Sequence, residues 1–437
     1  MLAPLMHPNE SSASLRPIRM AATLIVLRDG PQGLEVLMLR RAEKANDQNS
    51  GASVFPGGVV DANDRHLHAH CFDLDDARAS ARLALPSGGL DFYAAAVREC
   101  FEESGLLFAC DAEGRPAPLD ALDPAGQHAL REAATRSTDA LLAACEGRGW
   151  KLAVNRLAYF AHWLTPPGMP RRFDTRFFVA LAPAMQSVKP DGSETVDHQW
   201  LRPAEALDPA RRLKLMNVTR RILEQLARFE TADACMAYAR ALGHVPLNMP
   251  RIADGPQGRR AINIEEPAYD EIGHLDPDGK GDARYAIEPG ASTRLSARVW
   301  RVAGDGEYGG GGRDGGHSYL VGGERNEWAL IDPPEDEGRL AMLKAASPGP
   351  IRWTLSTKEA APAILGPGEE LDLGGARLRA LRDPAEGTGF VLVEEGMLFS
   401  GGHDPRPLAA QAAFRWIAAS GGFLRAYSSA DAGPKNS

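Results

Sequence analysis

The sequence is poor in cysteine, carries no strong excess of charge and has no long apolar run. Its five cysteines are odd in number and form no CxxC pair, which argues against a disulfide framework or a zinc knuckle. The net charge of −9 gives no general attraction to nucleic acid or to an anionic membrane. Residues 1–20 lack the apolar core of a signal peptide, and no apolar stretch is long enough to span a membrane. We therefore expect a cytoplasmic protein, in a reducing compartment, with neither nucleic acid nor a membrane as partner.

The length and the changes in composition along the chain predict two domains. The 437 residues exceed what one hydrophobic core usually serves. The sequence pattern of residues 15–245 is typical of one α/β unit. Residues 246–292 are rich in Pro, Gly and charge, which is typical of a linker or a surface wrap. Short apolar runs between Gly and Pro turns then predict a β-rich second domain over residues 293–425.

Hydrophobic periodicity and turn residues predict the main elements of the first unit. Two apolar runs on either side of Asp29-Gly30 favour a β-hairpin, and a longer periodic stretch ending near Gly105 favours a helix. The expected elements are hairpin strands over 20–27 and 34–39, a helix over about 92–107, strands over 157–164 and 173–181, and helices within 203–229.

The feature of the sequence with the clearest functional implication is an acidic cluster in the predicted 92–107 helix. Glu99, Glu102 and Glu103 share one helix face because residues three and four apart are neighbours on a helix. The like charges at Glu99 and Glu103 repel by roughly 0.2–0.5 kcal/mol, and no lysine is close in sequence to offset this. A solvated helix face is the ordinary explanation of an acidic triplet. A hard divalent cation would instead turn the repulsion into coordination.

The surroundings of this cluster resemble the two halves of a Nudix box. Gly57 and Gly58, which allow a close approach of the backbone to a ligand, open the stretch that ends at Asp64, and residues 98–106 fit the second half. The chain departs from the family pattern in two ways, because Asp64 replaces a glutamate and residues 65–97 interrupt the box. An interrupted box of this kind, with an insertion at about residues 65–91, is similar to the branch that includes the coenzyme A diphosphatases.

The resemblance implies a metal site and an arginine that organises it. Glu99, Glu102 and Glu103 would hold Mg²⁺ or Mn²⁺, with the carbonyl of Gly57 as a further ligand. Arg98 would orient Glu99 and pair with Asp64. Such a metal neutralises phosphate charge and acidifies the attacking water.

Further site residues are candidates from outside the box. A general base often comes from a glutamate elsewhere in similar enzymes, which makes Glu194 the candidate, although a solvent carboxylate in a turn explains it as well. Arg172 and Arg176 lie on one face of a predicted strand, and their guanidinium groups suit phosphate oxyanions. A solvent-exposed strand face explains the spacing of these two arginines equally well. Arg41 precedes the box where part of a coenzyme A signature is expected.

The implied substrate is a small-molecule diphosphate, and coenzyme A or an acyl derivative is the leading guess. Arg41 and residues 51–55 match the ends of the coenzyme A signature, whereas Asn46 and Asp47 stand where its intermediate arginine is expected. The sequence leaves a homodimer open.

The C-terminal region resembles a metallo-β-lactamase fold that has lost its metal ligands. Residues 318–322, 329–333 and 396–403 carry the likeness within 300–404. The positions where active members bind metal hold Leu355, Thr357, Glu359, Ala360, residues 383–387 and Gly402. Leucine, alanine and glycine side chains cannot bind a metal, so hydrolysis there is disfavoured.

The expected fold class is therefore α/β (α+β). It combines an N-terminal Nudix α/β/α sandwich with a mixed sheet and a C-terminal αββα domain without metal ligands. The expected function is Mg²⁺- or Mn²⁺-dependent hydrolysis of a diphosphate linkage in a nucleoside diphosphate conjugate. Two alternatives stay open, namely a Nudix-type protein that binds a regulatory ligand without cutting it, and the disfavoured hydrolase of the C-terminal domain.

Overall fold

A computed structural model describes residues 17–43, 50–304, 316–358, 365–383 and 387–428. The chain divides into two compact units, Met1–Thr165 with Met169–Met249, and Pro166–Gly168 with Pro250–Ser437. In the described part of the chain, no helix has the length and apolar character needed to cross a membrane.

The first unit contains ten strands and seven α-helices among its described residues. In chain order they are β1 (Ile18–Gly30), β2 (Gly33–Arg41), β3 (Ser53–Val54), β4 (Gly57–Val59), α1 (Asp76–Arg82), α2 (Gly89–Ser104), β5 (Ala109–Cys110), α3 (Pro124–Arg136), α4 (Thr138–Glu146), β6 (Lys151–Leu152), β7 (Ala158–Leu164), β8 (Arg172–Leu181), β9 (Thr195–Leu201), α5 (Pro203–Leu207), α6 (Asn217–Leu226), α7 (Ala232–Ala241) and β10 (Leu247–Asn248).

A mixed eight-stranded sheet forms the middle layer of this unit. Its order is β10-β7-β8-β1-β2-β3, with β4 paired to β1 and β9 to β2. β1 and β8 run parallel, while β1 and β2 form the predicted antiparallel hairpin. Alternate residues of β1 face opposite sides of the sheet. Leu24 and Val26 pack with α2, whereas Ile25 and Leu27 pack with α6 and α7. The result is an α/β/α sandwich.

Helix α2 is the element that positions the acidic cluster. It begins at Gly89 and ends at Ser104, earlier at both ends than the predicted 92–107. Gly105 stops it because its φ of 76° is in the left-handed region that glycine adopts without a side-chain penalty, and its N–H donates to the Phe101 carbonyl at 2.9 Å.

The insertion in the box is folded and packs on the helices. A 3-10 helix, Asp64–His70, comes before α1. Three of its side chains form pairs with carboxylates of α2 and α4. The contacts are His66 with Asp139 at 2.7 Å, His68 with Asp91 at 2.7 Å, and His70 with Glu146 at 3.0 Å. These three histidines thus attach the insertion to its neighbours.

The second unit is built from thirteen strands and three helices among its described residues. In chain order they are β11 (Arg251–Ala253), β12 (Arg260–Ile262), α8 (Tyr269–Leu275), β13 (Ser292–Arg294), β14 (Val299–Val302), β15 (Ser318–Gly322), β16 (Trp328–Ile331), α9 (Glu337–Ala346), β17 (Ile351–Leu355), β18 (Glu370–Asp372), β19 (Arg377–Asp383), β20 (Gly387–Leu392), β21 (Met397–Gly401), α10 (Pro405–Ala409), β22 (Trp416–Ala419) and β23 (Arg425–Ala426).

Two sheets of this unit share one core. The orders are β13-β14-β15-β16-β17 and β18-β19-β20-β21-β22-β23. Tyr319 and Ile331 of the first sheet contribute to the same buried cluster as Phe390 and Phe399 of the second. The outer faces are covered by α9, through Leu343, and by α10, through Leu408. The layers therefore follow the order helix, sheet, sheet, helix.

The segment predicted as a linker or a surface wrap, residues 246–292, is largely folded. β11, β12 and α8 bury a small cluster that includes Ile262 and Ile272. Glu271 of α8 also receives a bidentate ion pair from buried Arg301, at 2.5 and 2.9 Å. The apolar residues of this segment are too widely spaced to form a periodic pattern. Pro, Gly and charged residues therefore dominate what the sequence shows.

His317, just before β15, should make the stability of the second unit depend on pH. Its Nδ1 accepts from the Gly304 N–H at 3.2 Å and its Nε2 donates to the Gly422 carbonyl at 3.0 Å. Burial, together with the charge of Arg301, lowers the pKa of His317 to about 4. The unfolded histidine takes a proton below about pH 6.5, so protonation favours the unfolded chain. We expect the free energy of unfolding to fall between about pH 6.5 and pH 4, by about 3 kcal/mol from this residue.

Urea unfolding of the full chain at several pH values measures this effect. In His317→Gln the side chain is neutral throughout, so the difference in unfolding free energy between the wild type and the variant should shrink as the pH falls. A difference that does not change with pH would contradict the prediction.

Candidate active site

The three glutamates lie on one face of α2, beside the strand β4. Glu103 is 5% exposed, and its carboxylate accepts from the Gly57 N–H at 3.0 Å. Gly58 lies against Glu99, because a Cβ at Gly58 would be only 2.5 Å from the Glu99 carboxylate. The two glycines thus let β4 run against the acidic face. Gly57, predicted as a carbonyl ligand, directs its N–H at Glu103.

Arg98 connects the glutamates to the first half of the box. Its Nε and Nη2 donate to the Asp64 carboxylate at 2.8 and 3.1 Å, and Nη2 also donates to the Val59 carbonyl at 3.1 Å. Its Nη1 donates to Glu99 at 2.8 Å and to Glu102 at 3.2 Å. The contacts expected of Arg98 with Asp64 and Glu99 are therefore present, and Asp64 is fully buried.

The acidic face holds more negative charge than its surroundings compensate. Burial, together with the charges of Glu99 and Glu194, raises the pKa of Glu103 to about 8. The hydrogen bond from the Gly57 N–H opposes this shift. Burial also raises the pKa of Glu102 to about 7 and that of Glu99 above its usual range, although Arg98 opposes both shifts. Burial disfavours the charged form of Arg98 too, but the Asp64 and Glu99 carboxylates outweigh it and raise the pKa of Arg98.

The donor set suits a hard divalent cation, although the side chains are not arranged around one. In the part of the chain that the structure describes, no three His, Cys, Asp or Glu side chains form a group that could hold a metal ion. Glu99 and Glu102 accept from Arg98, and Glu103 accepts from Gly57. Three carboxylates whose pKa values are raised together are destabilised when charged. Mg²⁺ and Mn²⁺ prefer oxygen ligands of this kind, so the residues fit the cation that the sequence implies.

Arg41 and Glu194 come to the same place from other elements. The end of β2 pairs with the start of β9, with Arg41 opposite Thr195, and the Ala42 N–H donates to the Glu194 carbonyl at 2.8 Å. The hydroxyl of Thr195, which follows Glu194, lies 2.9 Å from the Glu103 carbonyl, so the start of β9 and the end of β2 adjoin the end of α2. The charge of Arg41 lowers the pKa of Glu103 and that of Glu194 raises it. Glu194 is exposed. The neighbouring Asn46 and Asp47 lie outside the described residues.

The structure does not bring Arg172 and Arg176 to the glutamates. Both are buried, and Arg172 donates to the Thr165 carbonyl at 3.0 Å. Arg176 contacts Asp174 and His162 and lies over the Phe92 ring, at 5.2 Å from its centroid. Phe92 is near the start of α2, roughly 16 Å along the helix from Glu103 at about 1.5 Å per residue. The predicted substrate-binding arginines instead hydrogen-bond within the sheet layer.

Thr357, one of the positions that the sequence compares with metal ligands, lies in a hydrogen-bonded group of the second unit. Asp332 accepts from the N–H and the hydroxyl of Thr357 at 2.7 and 2.8 Å, and His403 Nε2 donates to the Thr357 carbonyl at 2.7 Å. A Cβ at Gly401 would be 2.1 Å from the Thr357 hydroxyl oxygen. Leu355 and Asp383 are buried, Gly402 follows β21, and Glu359, Ala360 and residues 384–386 lie outside the described residues.

Sequence reasoning missed the contacts that join the loop before β9 to the end of α2. Arg131 of α3, Lys189 and Thr195 all hydrogen-bond to carbonyls of the last turn of α2. The only hint is that the four last carbonyls of any helix need partners. The sequence does not tell which distant residues supply them.

Comparison with known proteins finds relatives of part of the first unit. Residues 65–216 match the NUDT19 Nudix domain family. The human "Acyl-coenzyme A diphosphatase NUDT19" is 32% identical over 40% of this chain and 56% of its own length. "Putative nudix hydrolase 7" of Caenorhabditis elegans is 29% identical over 40% of this chain and 49% of its own length. The chain thus spans about half the length of these relatives. Among solved structures, a NUDIX hydrolase from Alicyclobacillus acidocaldarius has 29% identity and a TM-score of 0.42, covering 51% of this chain and 96% of that one.

Proposed function

We propose that the first unit hydrolyses the diphosphate linkage of a nucleoside diphosphate conjugate, with coenzyme A or an acyl-coenzyme A as the leading substrate class. One observation carries this proposal: Glu99 and Glu103 of α2 lie against β4, and Arg98 binds Glu99 and Glu102 while it is anchored on buried Asp64. The match of residues 65–216 to a Nudix domain and the relatives named for acyl-coenzyme A diphosphatase activity support it.

Each site residue has a role in this proposal. Glu99, Glu102 and Glu103 would hold Mg²⁺ or Mn²⁺, which when bound would neutralise phosphate charge and acidify water. Arg98 keeps Glu99 and Glu102 at a fixed orientation, since its planar guanidinium donates to both while Asp64 occupies its other edge.

Exposed Glu194 and half-buried Arg41 complete the site. Glu194 accepts the proton of the attacking water as a general base, and Arg41 binds a phosphate oxygen of the substrate. Arg172 and Arg176 have no part in this proposal, because their guanidinium groups are buried on carbonyl, carboxylate and imidazole partners.

The full chain, tested with Mg²⁺ against a panel of nucleoside diphosphate conjugates, decides the substrate class. We expect coenzyme A to yield 3′-phospho-AMP and 4′-phosphopantetheine, identified by mass spectrometry. Tight binding of a panel member without any product would favour the regulatory alternative, in which the site senses a ligand. Product from none of the panel and binding of none would remove the proposed substrate class.

We propose that the second unit is a metallo-β-lactamase-like domain without a catalytic metal. Its layer order of helix, sheet, sheet and helix supports this, and so does the Asp332–Thr357–His403 group, in which Thr357 supplies a hydroxyl and backbone atoms to its neighbours. The disfavoured C-terminal hydrolase requires metal ligands that the side chains of Leu355, Ala360 and Gly402 cannot supply.

Metal analysis of a full-length variant tests this second proposal. In the triple variant Glu99→Gln, Glu102→Gln, Glu103→Gln the first unit loses its carboxylates, so dialysed protein should hold no stoichiometric metal. Stoichiometric zinc, manganese or iron in the variant would mean that the second unit binds it, whereas wild-type protein loaded with Mn²⁺ serves as the positive control.

A further inference from the structure

The C-terminal carbonyls of α2 are bound by residues from two distant segments. The last carbonyls of a helix have no partner within it. The Glu102 carbonyl accepts from Arg131 Nε and Nη2 at 3.1 and 2.7 Å. The Ser104 carbonyl accepts from the Lys189 N–H at 2.8 Å. The Thr195 hydroxyl lies 2.9 Å from the Glu103 carbonyl. The backbone of the proposed metal-binding residues is thus held from outside the helix.

The segment that supplies Lys189 and Thr195 also carries Glu194, and it is internally fixed. Asp191 accepts from the N–H groups of Ser193, Glu194 and Thr195, the last two at 2.6 and 3.2 Å. The Thr195 hydroxyl is also 2.9 Å from Asp191 and can donate to it or to the Glu103 carbonyl. The Glu194 backbone therefore lies in a closed turn between two attachments to α2.

Arg131 joins the helix and this segment through one side chain. While Nε and Nη2 donate to the Glu102 carbonyl, Nη1 donates to the Lys189 carbonyl and is 3.5 Å from the Pro190 carbonyl. A cation at this position also complements the negative end of the helix dipole. Its planar guanidinium group binds two segments of the chain at once, whereas a single ammonium group cannot hold both equally well.

We propose that Arg131 is a positioning residue that sets the distance between Glu194 and the acidic face of α2. It touches no reacting atom, and acts through the backbone of residues 189–190 on one side and of Glu102 on the other. The catalytic part of this inference rests on the proposed function, with Glu194 as the base. Proton transfer requires the base within hydrogen-bond reach of the water, so a small displacement of the segment slows turnover without changing substrate binding.

A kinetic test separates this role from general stabilisation. Arg131→Gln should lower kcat by about 10- to 100-fold, the cost of roughly 1 Å of misplacement, and leave KM within about twofold. Arg131→Lys keeps the charge and should recover part of the loss. The matched control is Arg136→Gln, at the exposed end of the same helix, which should behave like the wild type. In a Glu194→Gln background, Arg131→Gln should add no further loss, since the base is already gone.

Hydrogen exchange provides a second readout that does not depend on activity. Amides of residues 189–195 should exchange faster in Arg131→Gln than in the wild type or in Arg136→Gln. Unchanged exchange, an unchanged kcat, or an equal loss in the Glu194→Gln background would each overturn the positioning role. A wild type without diphosphatase activity would instead overturn the proposed function, and the catalytic part of this inference with it.

Discussion

Replacement of Glu103 by glutamine should abolish turnover and leave the fold intact. The change removes one charged ligand and keeps the size of the side chain. Several kcal/mol of charge stabilisation at a metal site correspond to a loss on the order of 10³-fold in kcat. The fold should tolerate the change, because Glu103 is buried with its pKa raised to about 8 and a neutral amide can still accept from the Gly57 N–H.

Steady-state kinetics and thermal unfolding of the same preparation measure both halves of this result. Glu132→Gln, on the exposed face of α3, is the matched control and should keep wild-type kcat and Tm. In the metal-free state the Tm of Glu103→Gln should equal or exceed that of the wild type. Turnover at the wild-type rate by Glu103→Gln would remove this residue from the mechanism, and a lowered Tm would mean that the loss reflects damage to the fold.

The acidic face was predictable because helix geometry is local. Spacing of three and four residues places Glu99, Glu102 and Glu103 on one face wherever the helix packs. The hairpin of β1 and β2 was predictable for the same reason, since alternation and a turn are read within a short window. The contact between Arg98 and Asp64 spans the whole insertion, and only the resemblance to an interrupted box indicated it.

The arginines of β8 show where strand patterns stop being informative. Even spacing correctly groups Arg172 with Arg176 on one face, but it does not tell whether that face meets solvent or another layer. Cross-strand partners decide this, because His162 of β7 lies opposite Arg176 and, with Asp174, holds its guanidinium. Such partners depend on the register between strands, which a single sequence does not give.

The ends of β20 and β21 and the small core around α8 could not be predicted from the sequence, for related reasons. The apolar run over residues 389–399 is divided between β20 and β21 by a turn at Gly396, whose φ is 59°. The folded segment around α8 has few apolar residues, and the ion pair of Glu271 with Arg301 contributes to its attachment. Charged residues that are buried in pairs resemble solvent-exposed ones in a composition profile.

Replacement of Glu194 by glutamine should lower kcat by about 10²–10⁴-fold, the usual cost of losing a general base, and change metal affinity far less. Glu194 is exposed and sits outside α2, whereas the proposed ligands Glu99 and Glu103 share one helix face. The turn itself should persist, because Asp191 binds the backbone N–H of residue 194 and not its side chain.

Mn²⁺ titration alongside kinetics distinguishes the base from a ligand. Glu103→Gln should lose Mn²⁺ binding and turnover together, whereas Glu194→Gln should lose turnover alone, and Asp197→Asn, an exposed neighbour on β9, should lose neither. If Glu194→Gln weakens Mn²⁺ binding as strongly as Glu103→Gln does, Glu194 is a ligand of the metal. If its rate is unchanged, the proton is accepted elsewhere, and the loop held by Arg131 has no catalytic group to position.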